Sequence, residues 1–251
     1  MNSTRLRYRH LFFDLDNTIW DFDRNSWFAL RETFRKFNLD EGRFEEFFAS
    51  YNHHNERLWE LYRKNAITKQ ALSHSRFDLA LQEMGITGID GMEFNDAYLE
   101  GMPLQTRLCE GAPKVLEILS AKYQMHIITN GFVEVQYKKM ALSRLSPFFR
   151  GIFVSEEIKS PKPSPEIFRH ALKSSNARKK ESLMIGDSWE VDIMGAMKVG
   201  IDQVHYAPFL ENRDFTPEES EIVGHSRTCT CLLYTSPSPR DRTRSRMPSS
   251  A

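Results

Sequence analysis

The stretch FFDLDNTIWDF, residues 12–22, sets two carboxylates, Asp14 and Asp16, two residues apart directly after an apolar run. Like charges this close are costly unless a cation or a proton resolves the repulsion. Three later segments carry residue types that could meet them. ITNG holds Thr129, Asn130 and Gly131, SPKPSP holds Lys162, and IGDSWEVD holds Gly186, Asp187, Ser188 and Asp192. Thr18 belongs to the first segment. Several carboxylates at one point suit a hard cation with oxygen ligands, for which Mg²⁺ is the usual choice. Asp14 and Asp187 are the expected side-chain ligands, with water and substrate phosphate in other positions. Lys162 would add a second positive charge. The Thr129 hydroxyl and the backbone N–H groups of Asn130 and Gly131 can cradle anionic oxygens. A cation, a lysine and a hydroxyl together suit a phosphoryl group. One carboxylate can then attack phosphorus and form an aspartyl-phosphate. The other, two residues on, can give a proton to the leaving alcohol and later take one from water.

Each segment alone has a plainer reading. Paired aspartates at a strand end serve as helix caps or turns, TNG is a common turn, and PKPSP is a stiff loop. GDSWEVD could be a C-cap glycine followed by an N-cap aspartate. Four such segments in this order, each after an apolar run, favour the chemical reading.

Residues so far apart can meet only if the fold gathers them. YRHLFFD reads as a buried strand whose C-terminal end carries Asp14. From Arg24 to about Met102 the apolar residues recur at helical spacing: Trp27, Leu30, Phe34, Phe37, then Phe44, Phe47, Phe48, Tyr51, then Leu58, Trp59, Leu61, Tyr62. Thr68 is placed to cap a third helix, and a fourth fits 93–101. Beyond this stretch strand and helix alternate with short links. The expected strands are QMHIIT, GIFVS, SLMIG and DQVHY. The helices between them are VEVQYKKMALSRL, SPEIFRHALKSS and WEVDIMGAMKVG, and GAPKVLEILSAKY precedes them. That alternation predicts an α/β fold, a Rossmann-like doubly wound parallel sheet, whose strand ends converge on one crevice. A strand–helix–strand unit needs about 30 residues or a little more, and far more than that separates Asp16 from Thr129. A helical-bundle cap is therefore expected to be inserted after the first strand. The predicted boundaries are 1–20 and 103–228 for the α/β core, and 21–102 for the cap. The segment 229–251 is expected to be a disordered and non-native tail, because its residues 236–251 are nearly all Ser, Pro, Arg and small residues.

Composition narrows the partners. The 251 residues carry 34 Lys+Arg and 34 Asp+Glu, a formal net charge of zero, which argues for no nucleic-acid or membrane surface. No stretch approaches the roughly 20 apolar residues of a membrane span. MNSTRLRYRH has no apolar signal core, so a cytoplasmic location is expected. Cys109, Cys229 and Cys231 give no disulfide framework, and the lone C-x-C lacks further metal ligands at useful spacing. The partner expected is a small phosphate monoester. The sequence does not choose between monomer and homodimer.

The four segments resemble the motifs of the haloacid dehalogenase superfamily of phosphohydrolases over about Tyr8 to Tyr206, and the insert resembles the helical C1 cap of its subfamily I. The resemblance implies Asp14 as nucleophile and Mg²⁺ ligand, and Asp16 as general acid/base binding the metal through its backbone carbonyl. It implies Thr129 and Lys162 as phosphate ligands, Asp187 as a metal ligand, and Asp192 as a supporting acid. HLFFDLDNTIWDFDRNSWFAL with IITNGF and SEEI…KPSPEIF resembles the noncanonical pyrimidine nucleotidases, which implies a 5′-nucleotidase. Ser164, where relatives often carry Asp, is a departure beyond the catalytic lysine. A sugar-phosphate phosphatase or phosphomutase would keep both aspartates. A dehalogenase would not need Asp16, because halide leaves without a proton, and an intact reactive set argues against a mere binding protein. For the substrate, Trp20 and Phe22 at the entrance to the cap are the candidates, as stacking surfaces or as hinge core. His53, His54, Tyr62 and Arg63 have weaker warrant.

Overall fold

The computed structural model describes residues 7–207 and 227–229. Six parallel strands, β1 (His10–Phe13), β2 (Gln124–Thr129), β3 (Phe149–Val154), β4 (Ser182–Gly186), β5 (Asp202–Tyr206) and β6 (Arg227–Cys229), form one sheet in the order β3-β2-β1-β4-β5-β6. The strand order reverses between β1 and β4. That is the switch point of a doubly wound sheet, where loops diverge and leave a crevice at the strand C-termini. Residues alternate across the pleat. Leu11 and Phe13 pack on one face with Leu116, Val135 and Met140, from α5 (Ala112–Ser120) and α6 (Val133–Leu142). Phe12 and Met184 pack on the other with Ile167 and Phe168 of α8 (Pro165–Ser174), preceded by the short α7 (Ser155–Ile158), and with Ala196 of α9 (Met194–Val199). With both faces covered, β1 reads as an unbroken apolar run.

Between β1 and β2 the chain is helical: α1 (Phe22–Lys36), α2 (Phe44–Arg63), α3 (Lys69–Glu83) and α4 (Gly91–Gly101). Three starts are fixed by side-chain caps: Asp21 accepts from Arg24 N, Thr68 from Ala71 N, and Asp90 from both Met92 N and Glu93 N. Asp90 explains why α4 begins two residues before the span expected from apolar spacing. The four helices bury an aromatic core, Phe34, Phe47, Phe77, Phe94 and Tyr98, with ring centroids about 5 Å apart in tilted and edge-on pairs. The expected helix after β4 starts with a π turn, Trp189–Ile193, before α9, a form common at functional sites. No helix among the described residues is long and apolar enough to cross a membrane. Cys229 ends β6, beside Tyr206; Cys231 and the rest of the expected tail lie outside the described residues.

Candidate active site

The switch point brings the four sequence segments together. The Asp14 N–H donates to the carbonyl of Ile185 at 2.8 Å, which extends the β1–β4 ladder one residue and pins Asp14 beside the end of β4. The chain then turns sharply. Asn17 adopts φ +58°, a left-handed conformation that Asn tolerates better than most residues. Its side-chain amide and carbonyl bond the carboxylate and the N–H of Asp23 at 3.0 and 3.1 Å. This turn carries the chain from the sheet into α1 while Asp14 and Asp16 stay on the crevice floor.

Lys162 is buried and donates to Asp14 Oδ1 at 2.5 Å and to Asp192 Oδ1 at 2.6 Å. Its loop is clasped by Asn130, whose side chain accepts from Lys162 N at 2.8 Å and donates to Lys162 O at 2.9 Å. The side chain of Asn130, a residue expected at the phosphate, is thus held by the lysine loop. Asp192 reaches Lys162 by lying against Gly186, where any Cβ would collide with its carboxylate. Its other oxygen accepts from Ser188 N at 3.1 Å. Asp187 accepts from the Thr18 hydroxyl at 3.2 Å, and its backbone carbonyl lies 2.9 Å from His205 Nε2.

Asp14, Asp187 and Asp192 each offer a carboxylate oxygen, and these lie within 4.8 Å of one another. Burial holds Asp14 well above the usual carboxylate range; Lys162 pulls it down, and Asp192, Asp187 and Asp16 push it further up. Burial, then the neighbouring Asp192, raises Asp187 to about 7. For Lys162, burial acts downward but the charges of Asp14 and Asp192 outweigh it, so the ammonium is kept. Three crowded carboxylates against one lysine leave negative charge uncompensated. An all-oxygen donor set in that state fits a hard divalent cation such as Mg²⁺. Both Asp192 oxygens are already engaged, which leaves Asp14 and Asp187 as the side chains to hold it.

Asp16 faces the other way. Its Oδ1 receives Lys139 Nζ at 2.7 Å and its Oδ2 receives Gln136 Nε2 at 2.9 Å. Gln136 also donates to the Thr129 hydroxyl at 2.5 Å, so Thr129 accepts there and its own O–H can turn toward the crevice. A Cβ on Gly131 would strike the Gln136 side chain, so that glycine makes room for the network. Neither Gln136 nor Lys139 was singled out from the sequence. A signal existed: both fall on the stripe of α6 shared by Val135 and Met140, and both are buried. A Gln and a Lys on the inward face of a helix need partners.

Trp20 is fully buried. It donates to the Ser143 hydroxyl at 3.1 Å, and its ring lies 4.1 Å from Lys139 Nζ. It supports that lysine and does not line the cavity, a correction to its candidacy as a base-stacking surface. Its indole finds an apolar slot and a hydrogen-bond partner away from the crevice. Phe22 does line the cavity, which measures about 320 Å³ and runs from Asp14, Asp16, Thr129 and Lys162 to Trp59, Arg63 and Arg76 of the insert. His53, His54 and Tyr62 do not line it. His54 pairs with Glu83 at 2.9 Å, and Tyr62 packs edge-on against Trp59 and Phe132.

A doubly wound sheet with a helical insert after its first strand, and acidic residues gathered around a buried lysine at its switch point, defines a class of hydrolase. Residues 11–206 match the haloacid dehalogenase-like hydrolases, and the chain belongs to that family. It is 33% identical over 218 residues to the HAD-hydrolase YfnB of Bacillus subtilis (strain 168), covering 86% of this chain and 89% of YfnB. A crystal structure of YfnB bound to magnesium superposes with a TM-score of 0.80 at 30% identity, over 91% of this chain and 96% of that one. The chain is also 29% identical to the pyrimidine 5′-nucleotidase PynA of Streptococcus pneumoniae (strain ATCC BAA-255 / R6), over 90% of this chain and 95% of PynA. To the pyrimidine 5′-nucleotidase YjjG of Escherichia coli (strain K12) it is 29% identical, over 78% of this chain and 84% of YjjG.

Proposed function

We propose that this hydrolase cleaves phosphate monoesters through an aspartyl-phosphate on Asp14, with pyrimidine nucleoside 5′-monophosphates as substrates. The observation that carries the reading is the division of labour between two aspartates two residues apart. Asp14 sits among Lys162, Asp187 and Asp192, while Asp16 is turned toward Gln136 and Lys139.

Mg²⁺, held by Asp14, Asp187 and the backbone carbonyl of Asp16, would supply Lewis-acid charge to the phosphoryl oxygens. Lys162 balances charge on the same oxygens and, with Asp192, fixes the rotamer of Asp14. The Thr129 hydroxyl donates to a phosphoryl oxygen. Asp14 Oδ attacks phosphorus as the ester P–O bond breaks, and Asp16 delivers a proton to the departing alkoxide. Asp16 then takes a proton from the water that attacks the acyl phosphate, which frees phosphate and restores Asp14. Asp192 supports Lys162, and Ser188 and Thr18 fix Asp192 and Asp187. We take 1–20 with 103–228 as the catalytic core and 21–102 as its cap.

Nucleotide preference is supported by the likeness to PynA and YjjG and by the aromatic wall of Phe22, Trp59 and Phe132. Sugar phosphates compete, because the residues around the phosphate are blind to the alcohol. A panel of monophosphates tests both levels. Turnover should vanish with EDTA and return with Mg²⁺, and uridine and thymidine 5′-monophosphates should lead. A clear preference for hexose phosphates would overturn the nucleotidase reading. Full activity in EDTA would overturn the mechanism.

A further inference from the structure

On the crevice floor Asp14, Asp16 and Asp192 each have a lysine within hydrogen-bond distance, whereas the one buried cation among the described residues of the insert has no carboxylate beside it. Arg76, in the middle of α3, is 3% exposed. Its Nη1 donates to Asn55 Oδ1 of α2 at 3.2 Å and its Nη2 to Asn95 Oδ1 of α4 at 2.6 Å. Its Nε is buried with no protein acceptor among the described residues. The guanidinium lies 5.0 Å from the Phe77 ring and 5.5 Å from the Tyr98 ring. No carboxylate among the described residues comes within 4.0 Å of it. Two neutral amide oxygens and two ring faces compensate a buried guanidinium only in part, and an N–H left without a partner adds to the cost. Such a group is retained where something else completes it.

Arg76 also lines the cavity that begins at Asp14. A substrate whose phosphate meets Asp14 therefore extends its leaving group toward a rigid fork of donors with no acceptor of its own. The complement is an oxygen that accepts and does not donate. Glu56 and Arg63 line the same cavity with opposite charges, so they do not select for or against a second anion. The Trp59 and Phe132 walls favour a flat ring, and a carbonyl on that ring gives Arg76 its acceptor. We infer that Arg76 is the specificity residue of the insert, donating from its guanidinium to a ring carbonyl of a pyrimidine base. This inference rests on the nucleotidase reading above and names the residue that enforces it.

The competing account makes Arg76 a cross-link of α2, α3 and α4 and nothing more. The two differ in how a variant treats substrates with and without a base. The full-length protein, with Mg²⁺, is assayed on uridine 5′-monophosphate and on ribose 5-phosphate. The wild type should favour the nucleotide. Arg76→Met should lower kcat/KM for the nucleotide on the order of 10–100-fold, mainly through KM, as loss of one site-to-substrate hydrogen bond does. Ribose 5-phosphate should change by less than about 3-fold on the same grounds, so the ratio collapses. If both substrates fall equally and the ratio persists, Arg76 is a cross-link and the inference is overturned. If Arg76→Met does not fold, Arg76→Lys carries the test, since it keeps charge and stem but loses the fork; an unchanged ratio there also overturns the inference. A wild type with no preference between the two substrates overturns the nucleotidase reading itself, and that is seen before any variant is made.

Discussion

The strand-end crevice and the insert wall line one cavity but are built on opposite terms. In the crevice, charges are dense and mutually engaged: Lys162 binds two aspartates, and Asp16 binds Lys139 and Gln136. On the insert wall, charges are sparse and Arg76 meets only amides and rings. Side chains that hold one another keep their geometry before substrate arrives, which is what a chemical step needs. An incompletely satisfied group is completed by the substrate, which is what selection needs, because a ligand lacking the complement leaves it unpaired. The crevice should therefore act on every monoester alike, and the wall should distinguish among them.

Asp14→Asn puts the largest load on that contrast. The amide cannot attack phosphorus, and turnover should fall by at least about 10⁴-fold. The loss should be the same for uridine 5′-monophosphate and ribose 5-phosphate, because the nucleophile does not see the alcohol. A residual activity that differs between the two would break the division of roles. Lys139→Met comes next. Its ammonium is one of two donors that orient Asp16, and kcat should fall about 10–100-fold, as for a misplaced general acid. Removing a buried partner also lowers stability, so activity alone cannot assign the role. Asp16→Asn combined with Lys139→Met should be little worse than Asp16→Asn alone, since both act through one proton. Additive losses would make Lys139 structural only.

The same contrast explains what was legible in the sequence. Asp14, Thr129, Lys162 and Asp187 could be picked out because strand ends in a parallel sheet must converge, and short apolar runs mark those ends. The alternation of strand and helix, and the excess length before Thr129, likewise follow from local pattern. Gln136 and Lys139 were hidden because their partner lies more than a hundred residues away on another strand end, and their burial depends on which face of α6 meets the sheet. Trp20 kept two readings because position along the chain says nothing of rotamer; its ring turns inward onto Lys139, as hinge core and not as a stacking surface. Arg76 was invisible. An Arg on an amphipathic helix reads as solvated, and only the packing of α2, α3 and α4 around it, with Asn55 and Asn95 brought from two other helices, makes it a buried cation.

Among the described residues, ion pairs join the two regions only at Lys69, and their loss should have the smallest effect. Lys69, the first residue of α3, lies 2.8 Å from Glu134 of α6 and 2.8 Å from Glu156 of α7, over the ring of Phe132 at 4.5 Å. Burial acts to lower its pKa, but the two carboxylates raise it, so the charge persists at neutral pH. Lys69 is 36% exposed, and water and salt screen the pair, so its worth is about 0.2–1 kcal/mol. Lys69→Met removes the charge while keeping most of the stem. With the insert tied less firmly to the core, KM should rise about 1.4–5-fold, the range that energy allows, and kcat should change by less than about twofold. The rise should be equal for the nucleotide and for ribose 5-phosphate, because Lys69 sets how the wall sits over the crevice and not which ring carbonyl Arg76 meets. Added salt should raise KM in the wild type and leave the variant flat, since only the wild type has a screened pair to lose. A drop in kcat as large as that of Lys139→Met would mean that the crevice is not complete in itself, and that the insert helps to set the geometry of Asp16.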